Sequence, residues 1–283
     1  MLALTSILVP ALKLGGVGLT FGALIALAHR YFKVWVDPRI EGVRALLPGS
    51  DCGACGRPGC EAFAEELVSG DVEPAICTNM GLEDREDVAE YLGVAAGEAV
   101  KRVARLLCAG GSDVSIDRAS YRGHLTCGAA AAVAGGGKGC SWGCIGLGDC
   151  EIACEFHAIS MNDVGLPVVA PALCTACNDC VEVCPKDLFT VMPIDQRLIV
   201  QCKSELEGEQ AEALCRVACT ACGKCALDAA PGVIEMSRGL AVVDYRRNEE
   251  AGPDAITRCP TGAIAWVENG QFAQRAEPAG VMT

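Results

Sequence analysis

The chain has 283 residues, of which only 5% are aromatic while 33 are glycine and 20 are cysteine. Such a chain buries little hydrocarbon per residue, so an apolar core alone does not account for its cohesion. The net charge of −13 excludes a nucleic-acid face, which rests on clustered Lys and Arg.

Twenty cysteines could also form a secreted disulfide scaffold. Here they come in runs separated by two or three residues, one of which ends in Cys-Pro. That spacing points to metal clusters in a reducing compartment.

From Leu2 to Ala28 the only charged residue is Lys13, and Leu14 to Ala28 is an unbroken apolar and small-residue run. A membrane span needs about 20 residues at about 1.5 Å rise, so a helix from Pro10 or Lys13 to Phe32 would serve. His29, Arg30 and Lys33 follow it, with Arg39 close behind. The positive-inside tendency then puts the bulk of the chain on the cytoplasmic side of a bacterial or archaeal inner membrane, anchored by a single pass. Ala26-Leu27-Ala28 could mimic a signal-peptidase site, but no basic region precedes the apolar run. Gly15, Gly16 and Gly18 give the helix a small-residue face, which in a membrane invites another helix and points to a multi-subunit complex.

A short amphipathic helix follows, with Asp37 as cap, Pro38 at the first helical position and Ile40, Val43, Leu46 and Leu47 on one face. Next come Cys52, Cys55, Cys60 and Cys77 in the order C-x2-C-x4-C-x16-C. Three thiolates in a Gly-rich loop and a fourth from beyond the next helix suit a 4Fe-4S cluster. Zinc, the rival, prefers two separated pairs.

The strongest signal is Cys174-x2-Cys177-x2-Cys180-x3-Cys184-Pro185. In this bacterial ferredoxin run the fourth cysteine ligates the other cluster. The partner half is Cys140, Cys144, Cys150 and Cys154. The expected sets are Cys154, Cys174, Cys177 and Cys180 on one cluster, and Cys140, Cys144, Cys150 and Cys184 on the other. Between the halves, 158–161 and 167–170 read as strands around an Asn162-Asp163-Val164-Gly165 turn.

Cys127-x12-Cys140-x3-Cys144 recurs 75 residues later as Cys202-x12-Cys215-x3-Cys219, an internal repeat. The later copy continues with Cys222 and Cys225 and closes at Cys259-Pro260. A full two-cluster module would place a cysteine near Ala229 and three more before Cys259. They are absent, so one cluster on Cys219, Cys222, Cys225 and Cys259 is expected, its neighbour lost. Segments 233–236, 240–244, 263–267 and 272 onward alternate like strands. Four clusters leave Cys108, Cys127, Cys202 and Cys215, either as buried free thiols or as the ligands of a fifth cluster.

Nothing in the sequence suggests acid-base or nucleophilic chemistry. His29, His124 and His157 stand in no catalytic context. Gly135-Gly-Gly-Lys138-Gly lacks the order of a phosphate loop, and no G-x-G-x-x-G opens a helix after a strand, so no flavin or NAD site is expected on this chain.

Phe32-Lys-Val-Trp-Val-Asp37-Pro38 and Leu47-Pro-Gly-Ser-Asp-Cys52-Gly-Ala-Cys55-Gly-Arg-Pro-Gly-Cys60, between a membrane helix and ferredoxin modules, resemble the RnfB family. Gly143-Cys144-Ile-Gly-Leu-Gly-Asp-Cys150 is similar to its longer, cluster-rich members. The resemblance implies a subunit of an ion-translocating ferredoxin:NAD oxidoreductase. Such a subunit takes low-potential electrons from reduced ferredoxin and relays them to membrane-embedded partners, while flavin and NAD sit on other subunits. An iron-sulfur subunit of a different membrane redox complex is the alternative.

The expected fold is therefore α+β. It comprises a transmembrane anchor (1–36), a small helical 4Fe-4S domain (37–95), a helical linker (96–126) with a helix near Glu98 to Leu107, a two-cluster bacterial-ferredoxin-like module (127–200), a degenerate second module (201–272) and a tail (273–283).

Overall fold

The computed structural model describes residues 2–32 and 35–272. Helix α1 (Leu2–Tyr31) contains a 20-residue apolar stretch, Leu12–Tyr31, about 30 Å long at the helical rise. It is the one helix among the described residues long and apolar enough to cross a membrane. Every side chain from Leu12 to Phe32 is exposed, so the rest of the chain leaves its apolar surface uncovered. His29 and Arg30 lie in its last turn; Lys33 and the tail after 272 lie outside the described residues.

The first cysteine domain is helical, as its sequence suggests. In α2 (Pro38–Leu46) Asp37 caps the helix by accepting the Arg39 N–H at 2.9 Å, and Pro38 occupies the first turn. Helices α3 (Cys60–Ser69) and α4 (Leu82–Leu92) each end on a left-handed glycine, Gly70 and Gly93. Val43, Leu47, Phe63, Leu67, Met80 and Val88 form the shared core. Burying Phe63 or Leu67 contributes about 1.5–3 kcal/mol each.

The helix expected near Glu98 to Leu107 is a strand, and residues 96–126 contain no helix. Strand β1 (Arg102–Leu106) pairs antiparallel with β4 (Phe189–Pro193), Arg102 opposite Pro193 and Leu106 opposite Phe189. The apolar residues at 103, 104, 106 and 107 fit either period, because the segment is buried on both faces and burial on both sides erases the alternation that marks a strand. The Gln271 side chain stands in for a neighbouring strand at Leu106. It accepts the Leu106 N–H at 2.8 Å and donates to the Leu106 carbonyl at 2.9 Å.

The β1–β4 pair encloses a hairpin of β2 (Ile159–Met161) and β3 (Pro167–Val169). Its turn follows the sequence. Asn162 Oδ1 accepts the N–H groups of Val164 and Leu166, and Gly165 takes a positive φ of 72°. The second half repeats this nesting. Strand β5 (Leu198–Val200) pairs with β8 (Ile264–Trp266), and between them in sequence lies a hairpin of β6 (Ile234–Ser237) and β7 (Leu240–Val243).

Five short helices fill the loops: α5 (Cys127–Ala132), α6 (Asp149–Ile152), α7 (Asp179–Glu182), α8 (Gly208–Glu212) and α9 (Lys224–Asp228). Each half has its own apolar core. A small seam of Met192, Ile199 and Val267, flanked by Leu107 and Tyr245, joins them.

Candidate metal centres

All 20 cysteines are free thiols. Among the described residues, no three Cys, His, Asp or Glu side chains converge tightly enough for a single metal ion. Instead the thiols stand in fours around wider spaces, which suits a cubane rather than zinc. Four such cavities are each walled by four thiols.

One cavity is walled by Cys154, Cys174, Cys177 and Cys180, the set read from the ferredoxin run. The N–H of Ala158 points at Cys154 Sγ (3.3 Å) and that of Ala104 at Cys174 Sγ (3.5 Å). The Thr175 hydroxyl in the same wall is buried and bears on the Cys177 thiol. That hydroxyl, the amide N–H groups and four soft sulfurs fit an iron-sulfur cluster, whose electronics are tuned by hydrogen bonds to sulfur.

A second cavity is walled by Cys127, Cys144, Cys150 and Cys184. Cys127 takes the place expected for Cys140. Local structure explains the exchange. Thr126 caps α5 by accepting the Ala129 N–H at 3.2 Å, and the Gly128 N–H reaches the Asp149 carboxylate at the start of α6. These bonds bring the start of α5 to the start of α6, and with it Cys127 close enough to Cys150 to act on its ionisation.

Cys140 lines a third cavity with Cys108, Cys202 and Cys215. Segment 115–117 is laced between two others. Ser115 bridges to Cys215, Asp117 bridges to Lys138, the Ile116 N–H bonds the Leu214 carbonyl and the Gly139 N–H bonds the Ile116 carbonyl. That lacing draws Cys140 and Cys215 to one side. A Cβ on Gly110 would stand 3.2 Å from Cys215 Sγ, a tight contact, and 3.5 Å from Cys108 Sγ, so the glycine leaves room beside Cys215 in this cradle.

The fourth cavity has Cys219, Cys222, Cys225 and Cys259 in its wall, with Cys222 exposed. In the first domain, Cys55, Cys60 and Cys77 pack in one cluster, and Cys52 and Cys55 both act electrostatically on Cys77. The Asp51 carboxylate accepts the Cys60 N–H at 2.6 Å and fixes that loop.

Burial, and then neighbouring thiols, push Cys144, Cys150 and Cys180 up to about 12. Cys259 goes the other way. Burial opposes its ionisation, but the N–H groups of Ile264, Thr261 and Ala263 and the Thr261 hydroxyl outweigh it.

The fold and its thiol sets define an iron-sulfur electron carrier with several 4Fe-4S clusters. Residues 47–78 match the family model described as a putative Fe-S cluster, and residues 143–197 match a 4Fe-4S dicluster domain. The chain is 40% identical over 262 residues to the B subunit of the Na(+)-translocating ferredoxin:NAD(+) oxidoreductase complex of Acetobacterium woodii, covering 93% of this chain and 78% of that one. It is 34% identical to the B subunit of an ion-translocating oxidoreductase complex of Methanosarcina acetivorans, covering 92% and 99%. It is also 34% identical to the B subunit of the proton-translocating ferredoxin:NAD(+) oxidoreductase complex of Clostridium ljungdahlii, covering 92% of each. The chain belongs to this family, the RnfB subunits of ion-translocating oxidoreductase complexes.

Proposed function

We propose that this chain is the electron-relay subunit of an ion-translocating ferredoxin:NAD oxidoreductase. In this role it takes electrons from reduced ferredoxin and hands them to partner subunits that carry the flavin and NAD sites. Helix α1 anchors it to the inner membrane by a single pass, with the cluster-bearing bulk on the cytoplasmic side. Five clusters are held by Cys52, Cys55, Cys60 and Cys77; by Cys154, Cys174, Cys177 and Cys180; by Cys127, Cys144, Cys150 and Cys184; by Cys108, Cys140, Cys202 and Cys215; and by Cys219, Cys222, Cys225 and Cys259. The repeated nesting of hairpin within strand pair supports two ferredoxin-like modules, the second degenerate.

The observation that carries the relay is contact between neighbouring ligand sets. The N–H of Cys144, from the second set, points at Cys108 Sγ of the junction set at 3.4 Å. The backbone of Cys219, from the C-terminal set, acts on Cys202 of that same junction set. At the other end, Cys150 of the second set lies in one buried cluster with Cys154, Cys174 and Cys180, joining the two ferredoxin-run sets. Four sites therefore follow one another in a line.

When bound, 4Fe-4S clusters supply one-electron redox chemistry at potentials the protein tunes. The chain's part is to hold neighbouring sets in contact, to direct amide N–H groups at the ligand sulfurs, and to leave Cys222 exposed at one end of the line.

Iron and acid-labile sulfide on anaerobically purified protein test the cluster count. About twenty irons per chain are expected from five cubanes, with coupled EPR signals after reduction by dithionite. A value of about sixteen would remove the junction site from the line. Stopped-flow mixing with reduced ferredoxin should bleach the visible absorbance within the turnover time of the complex, and a failure to do so would remove the relay.

A further inference from the structure

An open groove of about 450 Å³ lies between the two halves and shares Cys202 and Lys203 with the wall of the junction cavity. The charge of these walls runs against that of the chain. Acidic residues outnumber basic ones 36 to 23, yet Lys138 lines the cavity, Arg102 lines the groove, Lys203 lines both, and neither wall contains an Asp or Glu. None of the three cations belongs to an ion pair among the described residues. Arg102 donates to the Val191 carbonyl at 2.9 Å and Lys203 to the Asp187 carbonyl at 2.5 Å, neutral acceptors that leave the positive charge uncancelled. The Asp187 side chain is outside both walls and forms no ion pair.

The rest of the groove is mainly apolar and includes Met192 and Val242, the latter 46% exposed, while a half-buried Trp142 stands in the cavity wall. Apolar and aromatic surface rimmed by charge is the make-up of a protein interface. Arg102 comes from β1, Lys138 from the loop before Cys140 and Lys203 from the segment after β5. The positive charge is thus spread over both halves, which suits the extended surface of a protein better than one small anion. The thiols behind it have neighbours on either side. Cys108 lies in the core that holds Cys150 and Cys174, and Cys202 packs against the cores that hold Cys215 and Cys219.

Resting on the relay and the junction ligand set proposed above, we propose that this basic groove is the docking surface for reduced ferredoxin. Electrons then enter the line at the junction cluster, in its middle, rather than at the exposed Cys222. Four thiolates outweigh the charge of the cubane they hold, so the donor's reacting end is anionic, and a surface of like sign would repel it. One electron leaves the ferredoxin cluster and reduces the junction cluster by one; no bond forms or breaks and no proton moves. From the middle of the line that electron has a neighbouring site in each direction.

The test is stopped-flow reduction of the full, anaerobically purified chain by reduced ferredoxin, after its iron has been counted. Wild type is compared with Arg102→Gln plus Lys138→Gln, and with Arg44→Gln plus Arg246→Gln, a pair that loses the same charge outside both walls. With iron retained, the bimolecular rate constant at low salt should fall at least about tenfold in the first pair and hardly at all in the second. The first pair should also lose most of the dependence on ionic strength. Equal rates in the two pairs would overturn the proposal. Failure of ferredoxin to reduce the wild type would instead remove the relay itself, and a wild-type iron count short of the junction cluster would remove its ligand set. Carbodiimide coupling of ferredoxin carboxylates to the wild-type chain needs no variant. Amide links should form at Lys138 or Lys203, and links found only at other lysines would overturn the proposal whatever the variants do.

Discussion

Cys127 and Cys140 exchange places relative to what spacing suggests, and the reason is local. Both stand in a stretch where several cysteines lie within reach of one loop, and thiolate spacing does not rank them. What separates them is a cap and a lacing. Thr126 starts α5 at Cys127 and the Asp149 carboxylate takes its Gly128 N–H, while segment 115–117 carries Cys140 to Cys215. Neither feature has a cysteine motif, so the sequence is silent on it. Expected losses follow from the sets. Cys127→Ala and Cys140→Ala should each remove about four irons and leave different EPR spectra. Adding Cys215→Ala to Cys140→Ala should cost no further iron, whereas adding Cys127→Ala should cost another cluster's worth. Equal losses in both double variants would return Cys140 to the ferredoxin-run site. Ala229 is the converse case. A cysteine there would serve a further cluster, and the alanine instead packs into the apolar core with Ala226, Ala230 and Val233, so hydrocarbon fills the space that the missing thiols imply.

Elements with their own punctuation were legible: Asp37-Pro38 opens α2, and Asn162 to Gly165 turns the hairpin of β2 and β3. Strand β1 was not. Its ladder partner β4 lies far along the chain, its other edge is completed by a side chain from residue 271, and a cation occupies its middle. The caps carry testable weight. Thr126→Ala removes the acceptor for the Ala129 N–H and should weaken α5 by about 1 kcal/mol. Because Cys127 is the first residue of that helix, the cost should appear as faster loss of one cluster to a chelator, with the other spectra unchanged. Gly110→Val tests the junction cradle more harshly. Its Cβ would crowd the Cys215 sulfur and its added methyls would press further into the cradle, so the variant should assemble with about four fewer irons.

At the scale of the molecule the thiols are as much a part of the interior as the hydrocarbon. Cys108, Cys150, Cys154, Cys174 and Cys180 sit in the same core as Leu106, Leu188 and Phe189. Metal-held domains fold with their metal, so stripping the clusters should unfold the chain beyond about residue 50, and circular dichroism of the apo protein checks it. Acid should act in the same direction. Burial raises Cys144, Cys150 and Cys180 above the ordinary thiol range, so without iron they hold their protons at neutral pH. Protons therefore compete with iron, and chelator-driven bleaching should accelerate as pH falls and slow as it rises toward their folded values. Synthesis adds an order in time. A chain emerging from the ribosome folds from its N-terminus, and the first domain presents all four of its thiols within a short stretch. The proposed junction set waits. Cys108 and Cys140 are translated long before Cys202 and Cys215, so they stay without a complete ligand set until most of the chain is made. Stalled or truncated chains would carry the early clusters and still lack the link between the two halves, which makes that site a checkpoint on completion.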